Sequence, residues 1–136
     1  MKFVLLPFVS WISCGCLKFL INYARAGFDY RAAKKLIGYG GFPSTHTTIT
    51  SSAVFAVGFE YGFETPIFSL ALAILIVVIM DAHGLRRQVG LHAQRLNRLE
   101  EFSNESKLRE RMGHTYFEIS GGLVLGLLLA YVFKTL

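Results

Sequence analysis

His114 and Glu118 are the pair in this sequence best spaced for nucleophilic chemistry. The i, i+4 spacing places both side chains on one face of a helix. The carboxylate could receive one ring N–H and leave the other ring nitrogen free to attack an electrophile. The alternative is a structural histidine–carboxylate hydrogen bond between packed helices, since an ionisable group inside an apolar segment usually has a partner.

A glycine turn precedes a second histidine. Residues 40–46 read GGFPSTH, a turn that leads into a helix start, with Ser44 suited to the N-cap. Unpaired N–H groups at a helix N-terminus attract anions, and glycines let a phosphate approach the backbone. The alternative is that Ser44 or Thr45 only caps the helix and that His46 lies at an interface.

Adjacent arginines occur in a third segment, residues 81–87, which read DAHGLRR. Arg86 and Arg87 could form a permanently charged clamp around a phosphoryl group. Asp81 and His83 are further site candidates. The alternative is that both arginines extend to lipid headgroups after a membrane span and that Asp81 pairs with one of them.

The composition of the chain indicates a membrane protein. Of 136 residues, 53% are hydrophobic and 17% are charged, against about 25% charged in soluble domains. An aromatic content of 14% excludes disorder, and Cys14 and Cys16, one residue apart, exclude a disulfide scaffold. The net charge of +5 does not indicate nucleic acid, because the cations lie between apolar segments without interleaved exposed aromatics.

Four apolar segments predict the elements that position these residues. They cover about residues 3–24, 45–59, 66–80 and 115–133, and a span needs about 20. We expect an all-α integral membrane helical bundle, one domain over residues 1–136, with about four transmembrane helices. The first is retained rather than cleaved as a signal. The second, rich in Ser and Thr, belongs inside the bundle.

The polar residues 84–113 predict an amphipathic helix between the third and fourth spans, broken near Ser103 and Asn104. The glycine pair Gly122-x-x-x-Gly126 in the fourth span allows close helix approach. The amphipathic helix would lie on the membrane surface or across the mouth of the bundle.

The distribution of positive charge predicts the orientation. With four spans, eleven of the fourteen Lys and Arg residues lie on one side: Arg25, Arg31, Lys34, Lys35, Arg86, Arg87, Arg95, Arg98, Lys107, Arg109 and Arg111. The positive-inside rule places that side in the cytoplasm. All three motifs emerge there, so we expect an active site at the cytosolic face of the cytoplasmic (inner) membrane.

The three ordered motifs resemble those of a known family. Gly-Gly-x-Pro-Ser-x-His, Asp-x-x-Gly-x-Arg-Arg-x-x-Gly and Gly-His-Thr-x-x-Glu are similar to the divergent type-2 phosphatidic acid phosphatase family, also called acid phosphatase/vanadium-dependent haloperoxidase-related. The similarity extends from Lys18 to Gly126. It implies a helical membrane protein related to lipid phosphatases.

The resemblance assigns roles to single residues. It implies that His114 is the nucleophile, Glu118 its orienting carboxylate and His46 the acid that protonates the leaving oxygen. Ser44 and Thr45 would help hold the phosphate. Lys18 and Arg25 partly match the family's Lys-x6-Arg-Pro motif, with Ala26 in the proline position.

One departure concerns the phosphate clamp. The superfamily has a Ser-Arg pair ending six residues before the nucleophile, where this chain has Lys107 and Leu108. The clamp must then come from Arg86 and Arg87, or from Arg109 or Arg111, and the sequence does not choose among them.

We therefore predict an enzyme, a membrane phosphatase that hydrolyses a lipid phosphomonoester or diphosphate through a phosphohistidine, without a metal or cofactor. Phosphatidic acid, phosphatidylglycerophosphate and polyprenyl phosphates are not distinguished. Expected partners are this substrate, membrane lipids and a second copy of the chain in a homodimer. A second hypothesis is a non-catalytic lipid-phosphate binding protein. A third is a metal site built from His46, His83, His92, His114 and Asp81.

Overall fold

The computed structural model describes residues 2–35, 41–99 and 107–136, and all regular structure in them is helical. This confirms the all-α prediction. A π-helical turn, Asp81–Leu85, connects two of the helices. The six α-helices of the described residues are α1 (Lys2–Arg25), α2 (Tyr30–Lys35), α3 (Thr45–Tyr61), α4 (Pro66–Met80), α5 (Arg86–Leu96) and α6 (Tyr116–Thr135).

Three helical segments are long and apolar enough to cross a membrane. Within the described residues they are Phe3–Arg25, Pro66–Leu96 and Tyr116–Thr135. The prediction of an integral membrane helical bundle is therefore confirmed. The fourth predicted span is α3, which has 17 residues and is about 26 Å long, so the count of four stays a prediction.

Helix α3 packs against α1, α4 and α6, and its hydroxyl groups are satisfied inside the bundle. Thr48 Oγ1 donates to the Ser44 carbonyl over 2.8 Å. Across the α1 interface, Ser10 Oγ donates to Ser52 Oγ over 2.8 Å. Among the described side chains, no buried nitrogen or oxygen lacks a hydrogen-bond partner. A hydroxyl-rich helix can therefore lie in the interior at low cost.

Two glycines let α6 lie directly on α3. A Cβ on Gly122 would stand 2.8 Å from the Ser44 carbonyl oxygen, and one on Gly126 would stand 2.8 Å from the Ser52 nitrogen. Ser51 Oγ also donates to the Gly122 carbonyl over 3.3 Å. The Gly122-x-x-x-Gly126 pair thus serves packing within the chain, and the homodimer stays a prediction.

The polar connection differs from its predicted form. Helix α5 continues directly from α4 through the π turn and ends at Leu96, before the predicted break near Ser103 and Asn104, which lies outside the described residues. Asn97 follows α5, and its side chain binds the backbone of Leu108. This long-range contact accompanies the return of the chain along α5, which a helical pattern does not reveal.

Candidate active site

The start of α6 fixes the histidine–glutamate pair. Thr115 is the N-cap: its hydroxyl accepts from the Glu118 N–H, and the Glu118 carboxylate accepts from the Thr115 N–H over 2.9 Å, which completes a capping box. The same carboxylate oxygen lies 3.2 Å from His114 Nδ1. Only 7% of the His114 side chain and 15% of the Glu118 side chain are exposed. The pair is therefore held in one orientation, with Nε2 of His114 left free.

The protonation of His114 follows from its surroundings. Burial lowers the pKa of His114, the hydrogen bond that its ring donates to Glu118 opposes this by raising the pKa, and the positive charges of Lys18 and Arg86 lower it further. The net shift is downward. The ring is neutral at pH 7, and its Nδ1 proton is directed to the carboxylate.

The π turn holds the backbone of His114. The His114 N–H donates to the Ala82 carbonyl over 2.9 Å, and His83 Nδ1 lies 3.0 Å from the His114 carbonyl oxygen. The His83 ring stacks on Tyr116 at a centroid distance of 4.1 Å. His83 therefore positions His114 through its backbone.

The adjacent arginines face different partners. Arg86 Nε donates to Asp81 Oδ2 over 2.8 Å, with about 40% of each side chain exposed. Arg87 instead lines a cleft that also contains His114. Consecutive residues of a helix point about 100° apart, and Arg86 and Arg87 accordingly have different surroundings.

A returning segment brings another arginine to the cleft. The Asn97 side chain accepts from the Leu108 N–H over 2.9 Å and donates to its carbonyl over 2.8 Å. Further along, a Cβ on Gly90 would collide with the Glu110 carbonyl. Gly113 has φ +85°, and a Cβ there would stand 3.0 Å from the Arg87 nitrogen. Both glycines are required because the backbone passes so close to α5.

The resulting cleft has a volume of about 450 Å³, and Arg87, Arg111, His114 and Glu118 are among its lining residues. The remaining lining is supplied by Gly41, His83, Met112, Gly113, Thr115 and Tyr116. Two guanidinium groups and a histidine with a free nitrogen suit a phosphoryl group. The sequence left Arg111 as one of several possibilities, whereas the structure places it in the lining of the same cleft as His114.

His46 approaches His114 from α3. The two ring centroids are 6.2 Å apart, and the Ser44 N–H donates to the Glu118 carbonyl over 2.8 Å, which ties the start of α3 to α6. The structure thus brings His46 close to His114, while His46 is not among the described residues that line the cleft. Arg86, Asp81 and Lys18 lie within electrostatic range of His46.

Ser44 and Thr45 have structural partners. Ser44 is fully buried, and its Oγ accepts from the Thr47 N–H and from the Thr47 hydroxyl, the latter over 2.9 Å. Thr45 Oγ1 lies 3.5 Å from Cys14 Sγ. Neither is among the described residues that line the cleft. The geometry favours the helix-capping interpretation of this motif for Ser44.

The two cations predicted from α1 lie at different distances from the site. Lys18 is partly buried and close enough to His114 to act on it electrostatically. Arg25, at the exposed end of α1, is about 10 Å further along the helix and is not among the described residues that line the cleft.

The four-histidine metal site is not formed. In the part of the chain that the structure describes, no three His, Cys, Asp or Glu side chains come together in a group that could hold a metal ion. His92 is exposed on α5, and His83 uses its Nδ1 on the His114 carbonyl.

Three residues that build the site were missed by sequence reasoning: Asn97, Gly90 and Tyr116. Gly90 was part of the quoted motif Asp-x-x-Gly-x-Arg-Arg-x-x-Gly, and that motif was the only signal available for it. Asn97 and Tyr116 act through contacts with distant residues, which spacing does not show.

Comparisons with known proteins agree with the motifs. The sequence profile described as "Divergent PAP2 family" matches residues 1–129. The chain is 30% identical over 110 residues to an uncharacterized membrane protein, YuiD, of Bacillus subtilis (strain 168), covering 68% of this chain and 70% of that protein. No solved structure matches. With nearly its whole length matched, this chain belongs to the divergent PAP2 family.

Proposed function

We propose that the protein is a membrane phosphatase that hydrolyses a lipid phosphate through a phosphohistidine formed on His114. The observation that carries the proposal is the environment of one ring: Glu118 holds Nδ1 of His114, and the cleft around this histidine contains Arg87 and Arg111. Nucleophile, orienting carboxylate and cationic clamp are the components that such a transfer requires.

In the first step, Nε2 of His114 attacks the phosphorus atom and the bond from phosphorus to the lipid oxygen breaks. His46 in its protonated form donates its proton to that leaving oxygen, which departs as an alcohol or, from a diphosphate, as a monophosphate. Arg87 and Arg111 neutralise the charge on the equatorial oxygens. Glu118 stabilises the positive charge that the phosphorylated His114 ring acquires.

In the second step, water attacks the phosphohistidine. His46, now neutral, accepts a proton from the water, the N–P bond breaks and inorganic phosphate is released. The electron pair of that bond returns to Nε2, so His114 is neutral again and His46 is protonated for the next turnover. No metal or cofactor takes part in this scheme.

The proposal includes the location of the reaction. The cleft lies at the end of the bundle where most Lys and Arg residues of the sequence are found, which favours the cytosolic face of the cytoplasmic membrane. A phosphate group at this depth would belong to a lipid headgroup, since the adjoining helix α6 continues into an apolar span.

The test is phosphate release by purified protein from a panel of lipid phosphates in detergent, with orthovanadate as inhibitor. We expect release by the wild type, inhibition by vanadate and no release by His114→Ala. His92→Ala is the matched control, because His92 is exposed on α5 and is not among the described lining residues of the cleft. Equal release by wild type and His114→Ala would overturn the mechanism.

A second candidate function is lipid-phosphate binding without turnover. The observation that favours it is Leu108, which occupies the position of the family arginine and is held through its backbone by Asn97. Vanadate binding by a protein that releases phosphate from no lipid of the panel is the result expected for this candidate.

A further inference from the structure

An apolar groove is lined by residues next in the chain to those that line the cleft. It has a volume of about 360 Å³ and lies between α1 and α6, with Leu17 on one wall and Val124, Leu125 and Leu128 along the other. Phe42 and Phe117 line its upper end. Their chain neighbours Gly41, Tyr116 and Glu118 line the cleft, so the linings of the two cavities are neighbours along the chain at residues 41–42 and 116–118.

Closely packed aromatic rings form the upper end of the groove. The Phe42 and Phe117 rings stack with centroids 4.8 Å apart. The Phe42 ring also lies over Gly121, where a Cβ would collide with it. A side chain at position 121 would displace the ring that forms this end of the groove.

The length and position of the groove indicate what occupies it. The lining of α6 runs from Phe117 to Leu128, a rise of about 16 Å. This is close to half of a hydrocarbon core of about 30 Å. A partner helix would contact the full span, whereas a groove of one-leaflet depth whose lining is next in the chain to that of a phosphate cleft matches one chain of a lipid.

We propose that this groove holds one hydrocarbon chain of the lipid whose phosphate occupies the cleft, and that Val124 at its middle determines which chains are accepted. The inference rests on the proposed function, since it takes a lipid phosphate as the substrate. The groove contributes by positioning rather than by hydrophobic transfer, because a lipid chain leaving the bilayer gains little from another apolar surface. A seated chain holds the phosphate at His114 in one orientation.

The first experiment compares alkyl phosphates of increasing chain length in detergent, with purified wild type, Val124→Trp and Val132→Trp. The side chains at 124 and 132 are 57% and 50% exposed on α6, so a tryptophan is tolerated at both, and only Val124 lines the groove. We expect Val124→Trp to lower kcat/KM for hexadecyl phosphate about tenfold or more. Butyl phosphate, which ends before Val124, is hydrolysed equally well by all three proteins.

Two outcomes overturn the groove assignment. Val124→Trp could lower kcat/KM equally for butyl and hexadecyl phosphate, or Val132→Trp could match its effect on hexadecyl phosphate. Release of phosphate from butyl phosphate by the wild type tests the proposed function separately, because that substrate does not need the groove.

The second experiment measures binding of the lipid chain and does not require turnover. A hexadecyl phosphate with a photoreactive diazirine at mid-chain is crosslinked to wild type and to His114→Ala, and the adducts are mapped by mass spectrometry. We expect adducts at Val124, Leu125 and Leu128 that orthovanadate suppresses by competing for the cleft. Adducts spread equally to Val132, or insensitive to vanadate, would show general contact with lipid and would overturn the proposal even if the protein proves inactive.

Discussion

One carboxylate oxygen of Glu118 serves both His114 and the start of α6. Oε2 lies 3.2 Å from His114 Nδ1 and accepts the Thr115 N–H over 2.9 Å. The orientation of the nucleophile and the N-terminal cap of a membrane helix therefore depend on the same atom. Substitutions here can separate the two roles.

Glu118→Gln should reduce activity while preserving the fold. A glutamine oxygen can still accept the Thr115 N–H, since Gln also completes a capping box. The same oxygen can also accept the Nδ1 proton of His114, but a neutral amide no longer stabilises the positive charge that the ring acquires on attack. We expect kcat to fall by about 10²–10³, with an unchanged Tm in detergent.

Thr115→Ala is the complementary variant. It removes the hydroxyl that caps α6 and leaves the His114–Glu118 hydrogen bond in place. We expect a destabilisation of about 0.5–2 kcal/mol with kcat close to that of the wild type. A large loss of kcat in Thr115→Ala without loss in Glu118→Gln would contradict the roles assigned here.

The acid limb of the pH profile should report His114. The nucleophile must be neutral, so kcat/KM falls as pH decreases through the pKa of His114. Burial lowers that pKa, as do the charges of Lys18 and Arg86, so the limb lies below the pH expected for an ordinary histidine. Lys18→Met removes one of these charges, raises the pKa of His114 and should move the limb to higher pH.

The control for this shift is Arg95→Met, because Arg95 is exposed on α5 and does not act on His114. Its profile should coincide with that of the wild type. A limb that moves to lower pH in Lys18→Met would show that another group governs it. The measurement is kcat/KM from pH 4 to pH 9, as an approximate range that brackets ordinary histidine values.

The arginines should differ in their effect on activity. Arg87 and Arg111 line the cleft, and removing one charge-stabilising donor costs about 10²–10³ in rate. We expect losses of that size in Arg87→Ala and Arg111→Ala and a smaller loss in Arg86→Ala, since Arg86 is paired with Asp81. Vanadate affinity should follow the same order. If Arg86→Ala proves to be the most damaging of the three variants, Arg86 is the arginine that binds the phosphate.

Close packing of α3 on α6 predicts a sharp cost for added volume. Gly122→Ala would place a methyl group 2.8 Å from the Ser44 carbonyl oxygen, and such overpacking costs about 1–3 kcal/mol. Gly15→Ala on α1 is the control, because its Cβ would have nothing within 4 Å. We expect a lower Tm in detergent for the first variant only; equal Tm values would mean that the helices separate easily.

Labelling of single cysteines should report the orientation. His92 and Glu64 are both exposed and lie at opposite ends of the segment from α4 to α5. In a background without Cys14 and Cys16, we expect a membrane-impermeant maleimide to label His92→Cys in inside-out vesicles and Glu64→Cys in right-side-out vesicles. The reverse pattern would place the cleft outside the cytoplasm.

Local patterns were sufficient for several elements of the fold. The Ser44 N-cap and the interior place of the hydroxyl-rich α3 both follow from neighbouring residues, and both are present. The contact between the His46 and His114 rings follows from the order of the spans, because the motifs come to the same end of the bundle.

The arrangement of the arginines could not be read from the sequence. Arg86 and Arg87 look alike in a linear motif, and only the three-dimensional structure shows that Arg86 pairs with Asp81 while Arg87 lines the cleft. Arg111 reaches the cleft because Asn97 and Gly90 fix a returning segment against α5. These contacts join residues far apart in sequence and leave no periodic signal.

The π turn lies within the long helical segment from Pro66 to Leu96. It rotates the side chains of α5 about the helix axis relative to those of α4. One residue more than an α-helical turn needs is accommodated between Asp81 and Leu85, and each residue advances a helix by about 100°. The apolar side of α4 and the cleft side of α5 are thus set by separate registers. The apolar surface of α4 and the cleft surface of α5 can therefore change independently of each other.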